Sequence, residues 1–458
     1  MLYTSHILKH MQKGNIRLAV IAAVAIVLAL GFSYYTQGDS EDNVAEGFYG
    51  YLFSGDMDGA YSMLSEEAKG VIGTVDDFSN MVGDLPEQME AAYGPMTAIG
   101  SDNGIFERDG VSYHYIEYDF TTSGMWLYTV VNDEGFIDGL YNLQCAMTST
   151  DQLPEGLIEK DYVYHADGLQ PLDGKITTSE DSDHDVAVVL VHGSGPNNMN
   201  STIGSNHIFQ QIAWGLAAEG VDVVRYDKRT YVDNRMLNPN PLVDIMYETV
   251  SDAVGIGAEV KAMGYDKVFL VGHSLGAMVA PSIVSLSDGA YDGFVSLAGT
   301  PRDFAQVQYD QNMDIIDKMP DSSDKDSLKA TIDQEYMKYL AIDTIPEERL
   351  WSTYIFGVQA GYHKSIMDLE NDVIAQELDV PMLFLQGTSD FQISPEDDYG
   401  AWVELLDGRE NVSFQLYLAL NHMFSISGQY AGTTTEYYLP MTVNKTVIGD
   451  IADFVLSN

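Results

Sequence analysis

The sequence predicts an α/β fold, in which a mostly parallel sheet is covered by helices and carries a helical cap. A small α+β domain and an N-terminal membrane segment are predicted to precede it. Three observations support this prediction. Apolar runs of strand length alternate with helical segments from about residue 186 onward. A region with helical and then strand-like patterning comes before them, and a basic flank followed by an apolar run opens the chain.

The first 36 residues have the pattern of a signal anchor. Three lysines and arginines precede an apolar run of 15 residues, 18–32, and no acidic residue occurs before Asp39. Extending the run to residue 35 gives the length of a bilayer span and places two tyrosines at its end. The positive-inside rule places the N-terminus in the cytoplasm and the rest of the chain outside the membrane. The alternative is cleavage after Gly31, which would give a secreted protein.

A small domain is predicted over residues 43–150. Its first half has apolar residues at helical spacing, and its second half alternates like paired strands at 111–120 and 125–132. Helices followed by an antiparallel sheet indicate a small α+β domain. We find no catalytic constellation in this part of the sequence.

The region 160–458 has the alternation of strands and helices that a parallel sheet requires. Its strands are apolar on both faces, which indicates that helices cover the sheet on both sides. The predicted strands are 186–191, 221–226, 267–271, 293–299, 381–387 and 412–418. The predicted helices are 207–220, 243–264, 275–286 and 443–456. Residues 302–378, between the fourth and fifth of these strands, are mainly helical in pattern and are predicted to form the cap.

The charge balance excludes one class of function. The chain has 69 acidic and 22 basic residues and a formal net charge of −47. Such a field repels nucleic acid, so no nucleic-acid partner is expected. The single cysteine, Cys145, can form neither an internal disulfide nor a cysteine-based zinc site.

A candidate nucleophile lies in the segment GHSLG at 272–276. The segment falls between a predicted strand and a predicted helix, which is the context of a nucleophile elbow. The turn in such an elbow is tight, so the residues on either side of the serine must be small. Ser274 is therefore the candidate nucleophile.

A glycine-rich loop, HGSGP at 192–196, follows the predicted strand 186–191 directly. Acyl transfer places negative charge on the carbonyl oxygen, and backbone N–H groups that are already oriented can stabilise it. One such donor is expected at Leu275, the residue after the nucleophile. The other is expected from the loop, at Gly193 or Ser194.

The general base and its acid are sought beyond Ser274, because this arrangement runs in the order serine, acid, histidine along the chain. His363 falls in the predicted cap and precedes the best acid, so His422 is the candidate base. Asp390 follows the strand 381–387, at the sheet edge where catalytic groups gather, and is the candidate acid. Four other acids remain alternatives: Asp303, Glu396, Asp397 and Asp398.

Residues 160–458 resemble the α/β hydrolases, particularly the bacterial dienelactone-hydrolase-like esterases. The matching segments are HGSGP (192–196), RYDKR (225–229), GHSLG (272–276), AGTPR (298–302), LQGTSDFQIS (385–394) and LNHMF (420–424). Dienelactone hydrolases proper have a cysteine nucleophile, whereas this chain has Ser274, which favours ordinary esters. Residues 43–150 look like the small cystatin-like or nuclear-transport-factor-like domains that precede some of these hydrolases.

The N-terminal pattern and the resemblance together imply a membrane-anchored or secreted serine hydrolase that cleaves carboxylic esters through an acyl-enzyme on Ser274. The implied substrate is a small-molecule ester, and the chemistry needs no cofactor or metal. Two alternatives stay open. A serine peptidase or aminoacyl amidase would use the same triad but would cleave aminoacyl amides. A non-catalytic surface protein would bind ligands with the same fold, although it would not need a complete Ser-Asp-His set.

Overall fold

The computed structural model describes residues 43–100, 102–238 and 240–458. In these three ranges, no helix has both the length and the apolar character required to cross a bilayer. The membrane segment predicted from the sequence lies outside the described residues.

The first part of the described chain is a layer of short helices packed on an antiparallel sheet. The helices are α1 (Val44–Ser54), α2 (Met57–Ser62), α3 (Glu66–Ile72), α4 (Val75–Val82) and α5 (Leu85–Tyr93). The strands are β1 (Met96–Ile99), β2 (Gly104–Arg108), β3 (Val111–Phe120), β4 (Gly124–Val131) and β5 (Ile137–Cys145). The sheet order is β1-β3-β4-β5, with β2 paired to β3.

Both faces of this sheet are buried, because alternate side chains of its central strands pack in different clusters. Ile116 and Leu127 pack with the helices in one cluster. Tyr115 and Tyr128 point to the opposite face and join the core of the larger sheet that follows. The small domain is thus packed against the rest of the chain through its sheet.

The larger sheet has eight strands in the order β17-β16-β13-β12-β8-β11-β7-β6. The six strands from β17 to β11 in this order pair in parallel. Strands β7 and β6 continue the sheet beyond β11 in antiparallel pairing. The strands are β6 (Leu157–Tyr164), β7 (Leu172–Ser179), β8 (Val186–Val191), β11 (Asp222–Tyr226), β12 (Lys267–His273), β13 (Gly293–Leu297), β16 (Met382–Gly387) and β17 (Val412–Tyr417). Two small hairpins lie outside it, formed by β9 (Thr202–Ile203) with β10 (Asn206–His207) and by β14 (Tyr354–Ile355) with β15 (Val358–Gln359).

Helices cover this sheet on both faces, in two separate hydrophobic clusters. They are α6 (Ile208–Ala218), α7 (Arg229–Arg235), α8 (Ser251–Ala262), α9 (Leu275–Met278), α10 (Ala280–Leu286), α15 (Gly400–Leu405) and α16 (Lys445–Ser457). Four more helices lie between β13 and β16: α11 (Phe304–Asp317), α12 (Ser323–Leu340), α13 (Ala360–Met367) and α14 (Asn371–Glu377).

Two of the predicted helices differ from the expectation. The helix predicted at 275–286 is broken into α9 and α10, because Pro281 has no N–H and its ring would clash with the carbonyl of Ala277 in a continuous helix. The helix predicted at 243–264 opens with a π-helical turn, Met246–Val250, ahead of α8. Such wide turns are frequent near functional sites.

The strand registers bring distant loops to one edge of the sheet. In the β8–β12 pair, Val191 lies opposite Gly272. In the β16–β17 pair, Gly387 lies opposite Tyr417. The loops that follow these four strands therefore leave the sheet side by side at its carboxyl edge, where ligands bind in open α/β sheets.

Candidate active site

Ser274 lies in the turn between β12 and α9 with φ 56° and ψ −116°. A positive φ is uncommon for a residue with a side chain and marks local strain. The turn is held by a hydrogen bond of 2.9 Å from the Ser274 N–H to the carbonyl of Leu297 in β13. The serine is only half-buried, although its neighbours on both sides are buried. The strained turn therefore leaves its hydroxyl accessible.

Two glycines make this turn possible. A Cβ atom at Gly272 would lie 2.4 Å from the carbonyl oxygen of Gly276. A Cβ atom at Gly276 would lie 2.3 Å from the carbonyl oxygen of Val191. Both contacts are with backbone atoms that cannot move away, so only glycine fits at either position.

His422 and Asp390 form a buried pair in which His422 Nδ1 and Asp390 Oδ2 are 2.8 Å apart. Three further donors fix the carboxylate: the N–H groups of Gln392 and Ile393, at 2.8 and 3.0 Å, and Nε2 of Gln386, at 2.9 Å. An ionised carboxylate only accepts hydrogen bonds, so the proton of the pair is on His422 Nδ1. Nε2 of the imidazole is then left to accept a proton from another group.

A cavity of about 380 Å³ opens at this edge of the sheet. Five residues predicted for the site line it: Gly193, Ser194, Ser274, Leu275 and His422. Asp390 lies behind His422 and not on the cavity wall. The structure thus brings together all six residues that the sequence analysis selected from four separate loops.

The loop after β8 packs directly on the nucleophile turn. A Cβ atom at Gly193 would lie 3.2 Å from Cβ of Ser274, so glycine permits this close approach. Leu275 is the first residue of α9, where a helix N–H has no intrahelical partner. The Asn197 side chain donates to the carbonyls of Ser194 and Gly195, at 3.1 and 3.0 Å. The Gly193–Ser194 segment and the N-terminus of α9 therefore both lie beside Ser274.

Two polar residues that the sequence analysis did not select support the triad. His273 donates from Nε2 to the backbone carbonyl of His422 over 2.9 Å. Burial lowers the pKa of His273 to about 3, so the ring is neutral at physiological pH. Gln386 holds Asp390 as described above. A signal existed for Gln386, since it is the one polar side chain in the strand sequence MLFLQG.

Two of the alternative candidates, His363 and Asp398, have other partners. His363 Nε2 is 3.1 Å from the carbonyl of Ile355, within the helical segment between β13 and β16. Asp398 accepts from Thr300 Oγ1 at 2.6 Å and from Arg302 Nε at 2.7 Å. The carboxylate that contacts His422 is that of Asp390.

The cavity wall is uncharged. Among the described residues that line it, none is Asp, Glu, Lys or Arg, and its ionisable groups are the imidazoles of His273 and His422 and the phenols of Tyr437 and Tyr438. Apolar side chains, the hydroxyls of serines and threonines, and neutral amides such as those of Gln308 and Gln311 form the rest. In the described ranges, no three His, Cys, Asp or Glu residues are grouped so that they could hold a metal ion.

The sequence of this chain is similar to a known family and to a known esterase. The sequence profile of the alpha/beta hydrolase family matches residues 188–412. Esterase EstD of Thermotoga maritima is 31% identical over 438 residues, which cover 94% of this chain and 99% of EstD. The chain belongs to the alpha/beta hydrolase family.

Structures of other esterases also match this alpha/beta hydrolase. An esterase of Pyrococcus furiosus, Pf2001, gives a TM-score of 0.40 at 14% identity and covers 66% of this chain and 91% of its own. Est1E of Butyrivibrio proteoclasticus gives a TM-score of 0.41 at 11% identity, with 65% and 98% covered. The family assignment rests on the sequence relative and not on these two structures.

Proposed function

We propose that this alpha/beta hydrolase cleaves carboxylic esters through an acyl-enzyme on Ser274. The similarity to esterase EstD, which extends over nearly the full length of both chains, supports an ester hydrolase. One structural observation carries the assignment of residues. His422, paired with Asp390 at 2.8 Å, shares a cavity with a serine held in a strained strand-to-helix turn.

The first half-reaction forms the acyl-enzyme. His422 Nε2 takes the proton of the Ser274 hydroxyl as Oγ bonds to the ester carbonyl carbon. The carbonyl oxygen becomes an oxyanion, which the N–H of Leu275 and an N–H of the Gly193–Ser194 segment stabilise. The bond to the alcohol oxygen then breaks, and His422 gives its proton to the leaving alkoxide.

The second half-reaction releases the acid. Water enters the cavity, gives a proton to His422 Nε2 and attacks the acyl carbon. The same N–H groups stabilise the second oxyanion. The bond to Ser274 Oγ breaks, the serine regains its proton from His422, and the carboxylic acid leaves. Asp390 keeps the imidazole in one tautomer and stabilises its charged form throughout.

The uncharged cavity favours esters over aminoacyl amides. A substrate with a free α-amino group carries a positive charge, and burying it requires a carboxylate nearby. The described wall of the cavity contains no such group. Neutral esters with small or medium acyl groups suit a space of about 380 Å³ lined by apolar side chains, hydroxyls and amides.

A comparison of matched chromogenic substrates tests this proposal. We expect the purified protein to hydrolyse p-nitrophenyl acetate and butyrate much faster than it hydrolyses alanine or leucine p-nitroanilide. Ser274→Ala should abolish the ester activity without changing the circular dichroism spectrum. Faster turnover of the aminoacyl anilides would support the amidase instead, and equal activity of Ser274→Ala would remove Ser274 from the reaction.

We also propose that the chain belongs with the dienelactone-hydrolase-like esterases and that its small domain is of the cystatin-like or nuclear-transport-factor-like kind. Helices α1–α5 against one face of an antiparallel sheet support the second assignment. The domain is fixed to the hydrolase part by a hydrogen bond from the Tyr128 hydroxyl to the Arg235 carbonyl. An ion pair of 3.5 Å between Arg235 and Asp102 adds to this contact. The proposed role of the small domain is to support the hydrolase part.

For location, we propose an anchor at residues 1–36 with the catalytic part outside the cytoplasm, or a secreted protein if the segment is cleaved. The support is the order of basic flank, apolar run and polar chain in the sequence. Digestion of intact cells with an external protease should then degrade the protein. Full protection, lost only when the membrane is permeabilised, would contradict this orientation.

A further inference from the structure

A buried lysine contacts the loop that faces the nucleophile. Lys228 follows β11 and is 1% exposed. Its Nζ donates to the backbone carbonyl of Gly193 over 2.7 Å, and its backbone N–H donates to the carbonyl of Asn197 over 2.9 Å. One residue therefore holds both ends of the 193–197 loop from the protein interior.

The charge of Lys228 is matched inside the protein. Its Nζ lies 2.6 Å from Glu248 Oε1, and Tyr362 donates its hydroxyl to Glu248 Oε2. Glu248 belongs to the π-helical turn Met246–Val250, which departs from the regular helix that the sequence predicts. Burial lowers the pKa of Lys228, and the Glu248 carboxylate opposes that shift, so the ammonium has a local counter-ion.

The orientation of one peptide group follows from this contact. In a trans peptide the C=O and the next N–H point in opposite directions. Because Lys228 holds the Gly193 carbonyl from the interior, the Ser194 N–H points away from Lys228. Gly193 is buried, whereas Ser194 is exposed and both line the cavity with Ser274. This makes the Ser194 N–H the candidate donor of this loop.

We propose that Lys228 is a positioning residue of the oxyanion hole. Its ammonium, balanced by Glu248, fixes the Gly193–Ser194 peptide and polarises it, which makes the Ser194 N–H a better donor to the oxyanion. This inference rests on the proposed acyl transfer at Ser274 and assigns the second donor to Ser194. A buried ion pair adds little to folding stability compared with apolar side chains of similar size, which leaves orientation of the loop as its contribution.

The test compares two variants at Lys228 with one control. The double variant Lys228→Met/Glu248→Gln removes the ammonium and neutralises its partner, so no uncompensated charge is left in the core. The single variant Lys228→Met removes the ammonium alone. Arg229→Met/Asp252→Asn is the matched control, because Arg229 is equally buried and pairs with Asp252 at 2.8 Å without contacting residues 193–197.

The readouts separate positioning from general stability. We expect Lys228→Met/Glu248→Gln to lower kcat for p-nitrophenyl butyrate about 10- to 100-fold, with KM changed less than about threefold, since removal of a complete donor costs more. The Ki of a trifluoromethyl ketone, which forms an oxyanion on the serine, should rise by the same factor. The control Arg229→Met/Asp252→Asn should change kcat and the Ki of the ketone by less than about threefold.

Two outcomes would overturn this inference. One is a folded Lys228 variant whose kcat and trifluoromethyl ketone Ki stay within threefold of the wild type. The other is an equal loss in the control. Both differ from a failure of the proposed function, in which the wild-type protein itself would neither hydrolyse esters nor bind the ketone.

Discussion

His273 donates a hydrogen bond of 2.9 Å from Nε2 to the backbone carbonyl of His422, and the two rings are 4.7 Å apart. The bond joins the residue before the nucleophile to the loop of the proposed base, 149 positions later in the chain. Since burial keeps His273 neutral, with a pKa of about 3, the same tautomer donates this bond over the whole neutral range. A contact outside the proposed triad therefore ties the turn of Ser274 to the loop of His422.

We expect His273→Leu to lower kcat by about tenfold and to reduce the free energy of unfolding by about 1–3 kcal/mol, because the carbonyl of His422 would stay buried without a donor. His273→Gln keeps an amide donor and should recover part of both losses. Kinetics with p-nitrophenyl butyrate and urea titrations measure the two effects. If His273→Leu has the kcat of the wild type, the contact does not position His422.

Asp390→Asn should lower kcat by about 10⁴-fold, because an asparagine can donate to His422 Nδ1 and so favour the wrong tautomer. Gln386→Leu removes one of the four donors to the carboxylate and should lower kcat about fivefold, which corresponds to one hydrogen bond of about 1 kcal/mol. Both values are obtained from steady-state rates at saturating ester. If the kcat of Asp390→Asn is within tenfold of the wild-type kcat, one of the other candidate carboxylates is the acid that pairs with His422.

Much of this site was predictable because its signals are local. The nucleophile turn needs glycines at fixed offsets between a strand and a helix, and Gly272 and Gly276 supply them. Strands such as Val186–Val191 are continuous apolar runs, and the structure places β8 at the predicted bounds. The alpha/beta hydrolase prediction was confirmed by the family match and by the relative EstD.

Lys228 and Glu248 were not predictable, because single polar side chains outside a strand carry no periodic signal. A lysine is usually exposed, so nothing in the sequence indicates that Lys228 is buried behind Gly193. Its function depends on β11 lying beside β8, which is a matter of sheet order. The π-helical turn that supplies Glu248 has the same apolar spacing as an ordinary helix and was predicted as one.

A buried carboxyl on the small domain should make stability depend on pH. Glu117 is 3% exposed, and burial, with a further contribution from the charge of Asp102, raises its pKa to about 8. Between the unfolded value near 4.5 and about 8, the folded state binds the proton and the unfolded state does not. Stability is therefore present in full below pH 4.5 and declines as the pH rises through 8.

We expect Glu117→Gln to remove this dependence and to stabilise the protein by about 5 kcal/mol at pH 9, at about 1.36 kcal/mol per pKa unit, with no gain below pH 4.5. Urea unfolding at pH 4.5, 7 and 9 gives the difference between variant and wild type. The exposed Glu107→Gln serves as the control for loss of one acidic residue on the same sheet. A constant difference across the three pH values would show that Glu117 ionises normally in the folded protein.

The neutral cavity in a highly acidic protein predicts selection against anionic esters. The p-nitrophenyl ester of butyrate should have a kcat/KM at least tenfold above that of p-nitrophenyl hemisuccinate at low salt. Molar salt should reduce this difference in kcat/KM, because it screens the net charge of −47. The difference that remains at molar salt reflects the cost of burying a carboxylate in an uncharged site. Preference for the hemisuccinate would mean that a cation faces the bound acyl group.

Every step of the proposed mechanism requires Ser274 to be an activated nucleophile. Labelling of the purified protein with a fluorophosphonate, at low and at molar salt, followed by intact mass spectrometry, measures this activation. We predict one adduct on the wild type and none on Ser274→Ala. An adduct that persists in Ser274→Ala, or a folded wild-type protein that takes no label at either salt, would contradict the role of Ser274.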